Sequence, residues 1–292
     1  MPELPEVETI RRDLESELIG LKFTDVKLFW PGSLKGDTLV TFKKKVLGTE
    51  ILTVTRRAKN IAVELSNGSY ILMHMKMTGH LLIESAHEKI SSSGTWQAAQ
   101  GALADPINQY IRAIFWLNNG KIMAFSDLRK FGYIKLLDKA KLAETYDAFG
   151  PEPFSNEFNP TYLQNIFAKK KQAIKKVLMD QTLIAGVGNI YADEILWKTK
   201  IHPTTPAKNL SAPQINKLHQ ATLEILEQAI KLRGTSSSDY RDTKGKKGNY
   251  EAKLQAYRRT GKPCSRCHTP IVRINLGGRG THFCPQCQRL EL

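Results

Sequence analysis

The chain has 292 residues, is 41% hydrophobic, and carries 43 Lys+Arg against 28 Asp+Glu, a formal net charge of +15. That length suits two domains with real cores, and that charge points to a polyanionic partner. No apolar run approaches the ~20 residues that span a bilayer, and no basic-then-apolar leader opens the chain. The four cysteines all lie beyond Pro263, which does not suit a secreted disulfide scaffold. A cytoplasmic or nucleoid-associated, nucleic-acid-binding protein is expected, with no membrane contact.

The first predicted element is a helix. Val7, Ile10, Leu14 and Leu18 recur at helical spacing up to Gly20. Pro5 suits a first turn, and Glu3, Glu6 and Glu8 suit the positive helix end. The same stretch has a chemical reading. Removal of Met1 would leave Pro2 as a secondary amine, able to attack a carbon at the oxidation level of an aldehyde and form a cationic imine. Glu3 stands beside it to handle protons. Taken alone, the stretch favours the plain helix start.

Residues 23–137 read as strands. Asn67-Gly68 between 61–65 and 70–73, and Asn119-Gly120 between 111–116 and 121–125, mark two hairpins. Several such strands behind one helix predict an antiparallel sandwich or flattened barrel. Residues 85–109 show no period and are expected to form an exposed, mobile insertion.

Phe149-Gly150-Pro151-Glu152-Pro153 punctuates the chain and predicts a hinge over 149–156. Beyond it the pattern turns helical, over 160–169, 171–180, about 189–200 and 211–232. Residues 234–262 are polar and glycine-rich and look too hydrophilic for a core. The fold class is therefore α+β and multidomain: an N-terminal β-sandwich with its helix, then a helical domain, then a cysteine module. No internal repeat and no dimer seam is visible, so a monomer is expected.

Cys264-Ser265-Arg266-Cys267 and Cys284-Pro285-Gln286-Cys287 carry the most specific spacing. Two CxxC knuckles place four thiolates around one Zn²⁺, and four protein ligands leave no open position, so the metal is structural. Between them Arg279 sits by glycines on a predicted hairpin, where it reads either as a solvated charge or as a contact to a polyanion. Gly186-Val187-Gly188-Asn189 opens a helix, a place for a phosphate or for an ordinary N-cap. Lys169, Lys170, Lys171, Lys175 and Lys176 lie just upstream and are expected to neutralise phosphates. A helix–two-turn–helix clamp on a nucleic-acid backbone fits this arrangement. Arg56-Arg57-Ala58-Lys59 interrupts an apolar β region, as edge protection or as a phosphate cradle. Met77, Arg129 and Phe131 follow strand ends, as core residues or as wedges into a gap left by an extruded base.

Together these stretches resemble the formamidopyrimidine-DNA glycosylase (Fpg, MutM) family over essentially the whole chain. The resemblance rests on PELPEVET at 2–9, RRAK at 56–59, HMKMTG at 74–79, RKFG at 129–132, GPEP at 150–153, LMDQTLIAGVGNIYADE at 178–194 and the terminal zinc finger. It implies a bifunctional DNA glycosylase and AP lyase of base-excision repair, acting on double-stranded DNA with oxidised purines. Pro2 would be the Schiff-base nucleophile and Glu3 the proton donor to the sugar, releasing 8-oxoguanine or formamidopyrimidines before β,δ-elimination. Lys59 and Arg279 match phosphate-gripping, proton-donating positions, Asn189 a phosphate contact and Glu6 a supporting carboxylate. Met77, Arg129 and Phe131 match the residues that fill the vacated stack. The implied domains are 1–148 for the sandwich, 149–156 for the hinge and 157–235 for the helix–two-turn–helix. A lesion-covering loop and connector at 236–262 and the zinc finger at 263–292 complete them. Lys76 departs from the family's usual glycine and Leu128 from its proline, and the 85–109 segment is long. The alternatives are a Nei-type oxidised-pyrimidine glycosylase, against which Leu4 and the Arg129/Phe131 pair argue, and a non-catalytic zinc-containing DNA-damage binder.

Overall fold

The computed structural model describes residues 1–85, 101–102, 104–237 and 239–290. They form two compact units: Met1–Asp147 with Leu232–Glu251, and Ala148–Lys231 with Ala252–Leu292.

The first unit opens with α1 (Leu4–Leu18), whose Val7, Ile10, Leu14 and Leu18 are fully buried. Each such side chain contributes about 1.5–3 kcal/mol by leaving water. The strands β1 (Phe23–Leu28), β2 (Leu34–Lys35), β3 (Ile51–Arg57), β4 (Asn60–Leu65), β5 (Tyr70–His74), β6 (Gly79–Ser85), β7 (Ile111–Leu117), β8 (Lys121–Asp127) and β9 (Tyr133–Leu137) form two sheets. One has the order β1-β7-β8-β6, the other β2-β9-β5-β4-β3. All neighbours are antiparallel except β2 and β9. Ile61, Val63 and Leu65 of β4 share one core with Phe23, Phe115 and Phe125 of the other sheet and with α1. Ala62, between them, faces outward onto Leu72 and Leu142, as the period of two requires. Both expected hairpins form, with Gly68 and Gly120 at positive φ in their turns.

One helix interrupts the strand-rich reading, α2 (Leu39–Val46), and another, α3 (Lys139–Asp147), follows the last strand. The Thr38 hydroxyl accepts the Thr41 N–H at 3.2 Å to start α2, and only Phe42 and Val46 of it are buried. Two apolar contacts in eight residues are too few for a visible period.

The expected 85–109 insertion falls mostly on 86–100 and 103, outside the described residues. Its described C-terminal part is exposed only in places, at Gly101, Ala104 and Pro106. Ala102 and Asn108 are buried, the Ala102 N–H donates to Glu84 at 2.6 Å, and Pro106–Gln109 form a turn of 3-10 helix.

Residues 232–251 are also more buried than their composition suggests. Thr235, Ser236, Tyr240, Arg241, Asp242 and Thr243 are all buried, because each polar group finds a partner inside the first unit. Arg233 forks onto Asp13 and Asp242, Arg241 pairs with Asp105 at 2.8 Å, and the Ile83 N–H donates to the Thr243 carbonyl.

The second unit contains α4 (Pro160–Ala168), α5 (Ile174–Leu178), α6 (Asn189–Thr199), α7 (Ala212–Lys231) and a hairpin of β10 (Val272–Leu276) and β11 (Arg279–Phe283). The 171–180 helix shrinks to the five residues of α5, because residues 172–173 instead bridge to Pro206 and Ala207. Among the described residues, no helix is long and apolar enough to cross a membrane.

Candidate active site and nucleic-acid interface

In the first unit, Pro2, Glu3 and Glu6 are buried at the mouth of α1. The Glu6 carboxylate accepts the Glu3 N–H at 2.8 Å and the Thr235 N–H at 2.7 Å. Gly234 is required there. It holds φ +80, and a Cβ on it would stand 2.7 Å from Glu6 Oε1. Burial, aided by the charge of Lys59, lowers the pKa of the Met1 α-amine, against Glu3, Glu6 and Asp239, which raise it. An amine so placed keeps more of its unprotonated, nucleophilic form near neutrality.

Lys59 lies in the tight turn from β3 to β4 and is buried; Ala58 before it holds φ +52. Arg56 is committed elsewhere, to Glu8 of α1 at 3.0 Å and to the Ala58 carbonyl. The next strand brings His74, paired directly with Asn60. Burial, then Lys76 and Lys59, hold the His74 pKa down to about 3. The Lys76 N–H donates to His74 Nδ1 at 2.9 Å, which leaves the proton of the neutral ring on Nε2. His74 was not singled out from sequence. Its place within HMKMTG was visible, but its position between two lysines was not.

Met77 is half-buried on the β5–β6 turn, whereas Arg129 and Phe131 are exposed on the β8–β9 loop. One buried carboxylate organises both loops. Asp127 accepts the Thr78 hydroxyl through Oδ1, the Arg129 N–H at 3.2 Å and, through Oδ2, the Gly132 N–H at 2.7 Å. The Arg129 guanidinium lies 4.8 Å from the Phe131 ring centroid, so arginine and ring project together. Such an exposed pair can fill space vacated by a base.

In the second unit, the structure corrects one sequence expectation. Lys175 is not available to a phosphate: it is 1% exposed, pairs with Asp193 at 2.6 Å and donates to Thr281 Oγ1 at 2.8 Å. A buried ammonium must be paired, and α6 supplies the partner. Asp193 also accepts the His282 N–H at 2.9 Å, so Lys175 and Asp193 together dock the β10–β11 hairpin onto α5 and α6. Asn189 opens α6 after Gly188 and donates through Nδ2 to the Gly280 carbonyl at 3.1 Å. This places Asn189 beside the hairpin turn where Arg279 is exposed. Gly277 and Gly278 hold positive φ in that turn.

The sulfur atoms of Cys264, Cys267, Cys284 and Cys287 lie within 4.8 Å of one another, with Cys267 3.4 Å from Cys284 and 3.3 Å from Cys287. Tetrahedral Zn–S bonds of about 2.3 Å require sulfur separations of roughly 3.8 Å, so the cluster fits one structural zinc.

Three family models match in order: the formamidopyrimidine-DNA glycosylase N-terminal domain over 1–134, its H2TH domain over 149–241 and the zinc finger found in FPG and IleRS over 261–290. The formamidopyrimidine-DNA glycosylase of Herpetosiphon aurantiacus is 40% identical over 289 residues, 99% of this chain and 100% of that one. The chain belongs to the formamidopyrimidine-DNA glycosylase family. The family member of Chloroflexus aggregans is likewise 40% identical, over 99% of both chains. Lactococcus lactis Fpg in complex with DNA containing an abasic site superposes with a TM-score of 0.86 at 32% identity, covering 99% of this chain and all of that one. The same enzyme bound to DNA containing N7-benzyl-Fapy-dG gives 0.86 at 33%, with the same coverage. The two-domain α+β fold, with helix, β-sandwich, H2TH domain and β-hairpin zinc finger, is the family's.

Proposed function

We infer that this family member removes 8-oxoguanine and formamidopyrimidines from double-stranded DNA and then cuts the strand, using Pro2 as its nucleophile once Met1 is gone. The observation that carries this reading is the start of α1, where Pro2 and Glu3 are buried next to the Met1 amine, whose charge both Glu3 and Lys59 influence. The Pro2 nitrogen attacks C1′ and the glycosidic bond breaks; the damaged base leaves with its electron pair and takes up the proton that the alkylated nitrogen sheds. Glu3 delivers a proton to the ring oxygen of the sugar, the ring opens, and the nitrogen lone pair completes the iminium. That cation acidifies the C2′ proton, so the 3′ phosphate leaves by β-elimination; a second loss expels the 5′ phosphate. Lys59, Asn189 and Arg279 hold phosphates around the lesion, and Lys59 and Arg279 give protons to the departing oxygens. Met77, Arg129 and Phe131 occupy the gap left by the flipped nucleotide, which must leave the stack before C1′ can be reached. The work is done in the cytoplasm, on nucleoid DNA.

Borohydride reduction in the presence of duplex DNA with 8-oxoguanine opposite cytosine tests this. The expected result is a covalent adduct that maps to Pro2 and disappears in Glu3→Gln. An adduct on a lysine, or none from protein with a free Pro2 that binds the duplex, overturns the catalytic assignment. Thymine glycol in a parallel duplex reports any preference for oxidised pyrimidines.

A further inference from the structure

Lys76 holds φ +51, a backbone conformation that a side-chain residue adopts at a cost and that persists where something offsets it. Its Nζ lies 5.5 Å from the Tyr133 ring centroid, and Lys135 Nζ lies 5.3 Å from the same centroid. Two ammonium groups therefore flank one phenol ring. Among the described residues, neither they nor Lys35 have a carboxylate partner.

The ladder register lines these residues up. His74 pairs with Tyr133 and Leu72 with Lys135, and Lys35 pairs with Lys135 across the parallel β2–β9 edge. Residues directly opposite in a ladder share a face. His74, Tyr133, Lys135 and Lys35 thus lie on the outer face of the five-stranded sheet, and Lys76 lies over Tyr133 on that face. At the far end α3 closes over Ala62 and Leu72 through Leu142. The row ends in an open basin of about 530 Å³ whose charged lining is Lys35, Lys45, Lys135 and Lys141 against Asp37 and Asp138. Asp138 is engaged by Lys141, so the cationic side prevails.

We propose that Lys76, Lys135 and Lys35 form a backbone-binding track that extends the grip on duplex DNA from the Lys59–His74 end of the sheet across its outer face. The inference rests on the reading of the protein as a DNA glycosylase. A row of ammonium groups along one sheet face suits a polyanion, and it reads phosphate alone, without base preference. Lys76 is the link, because its left-handed backbone turns the side chain onto Tyr133 instead of continuing the strand.

The test is the salt dependence of binding to a duplex carrying a tetrahydrofuran abasic analogue and to the same duplex undamaged. Lys76→Gly is expected to reduce the slope of log K against log salt by about 0.9, and the double variant Lys35→Gln/Lys135→Gln by about 1.8. Both should weaken damaged and undamaged binding by the same factor. Lys76→Gly should also raise the melting temperature, since glycine accepts the positive φ. Lys44→Gln, on exposed α2, is the control for net charge and should leave the slope in place. Unchanged slopes in the variants, a fall with Lys76→Gly alone, or an equal fall in the control each overturn the track. The Pro2 adduct of the unmutated protein reports the glycosylase reading separately, so either can fail without the other.

Discussion

The Glu6 carboxylate takes the Thr235 N–H at 2.7 Å across 229 residues of sequence, and its other oxygen takes the Glu3 N–H at 2.8 Å. One side chain thus ties the segment that follows the long helix α7 to the residue next to Pro2. A second tie runs parallel. Arg233 forks onto Asp13 of α1 and Asp242, and the Thr243 hydroxyl donates to Asp13 at 2.8 Å.

Replacing Glu6 with alanine would strand both buried N–H groups. Each charge-assisted bond contributes about 1.5–3 kcal/mol, so a loss of roughly 3 kcal/mol or more is expected by urea denaturation. Glu6→Gln keeps one acceptor but sets an NH2 against the other donor, and should fall between the two. The borohydride adduct should weaken in the same order. Wild-type stability in Glu6→Ala would contradict the tie.

Lys175 is expected to matter for stability and not for counting phosphates. Lys175→Met leaves Asp193 buried without its ammonium, a loss of about 3–5 kcal/mol. Denaturation followed by a probe in the zinc module should report it. A variant of unchanged stability with a slope of binding on salt reduced by about 0.9 would make Lys175 a phosphate contact after all.

His74 should carry a pH signature. Its folded value of about 3 lies below its ordinary value of 6.5, chiefly through burial and then through Lys76 and Lys59. The unfolded chain therefore takes up a proton that the native site refuses. The stability involved is fully present above about pH 6.5 and is lost as pH falls toward 3, on the order of a few kcal/mol at the acid end. His74→Gln removes this dependence. The difference in stability between wild type and variant should shift in the variant's favour from pH 7 to pH 4; parallel curves would refute it.

Chelation of zinc should abolish the fold of the β10–β11 hairpin, since so small a module draws its folding free energy from the metal. The melting of the first unit should not move. DNA affinity should fall for damaged and undamaged duplex alike, as it should for Arg279→Ala, whose salt slope drops by about 0.9. Collapse of both units on chelation would contradict their independence.

The legible parts of this protein are those whose physics is local. Two hairpins follow from Asn-Gly between β-rich runs, the zinc cluster from the spacing of two CxxC knuckles, and α1 from four apolar residues at helical intervals. The least legible segment is 232–251. Its polar composition suggests a solvated connector, yet Arg233, Arg241 and Asp242 are partnered by Asp13, Asp105 and one another. Burial of polar residues depends on partners that sequence separation hides.

By itself the sequence determined the chemical inventory: a proline at position 2, a carboxylate beside it, a zinc module, and a cationic excess suited to DNA. Only the tertiary structure decided which charges remain available. It buried Lys175 against Asp193 and set His74 neutral between two lysines. It also aligned Lys76, Lys135 and Lys35 on one sheet face. The physical reason is that a lysine looks the same in every sequence. Whether it meets a carboxylate, a ring or a phosphate is settled by the strands and helices that fold around it.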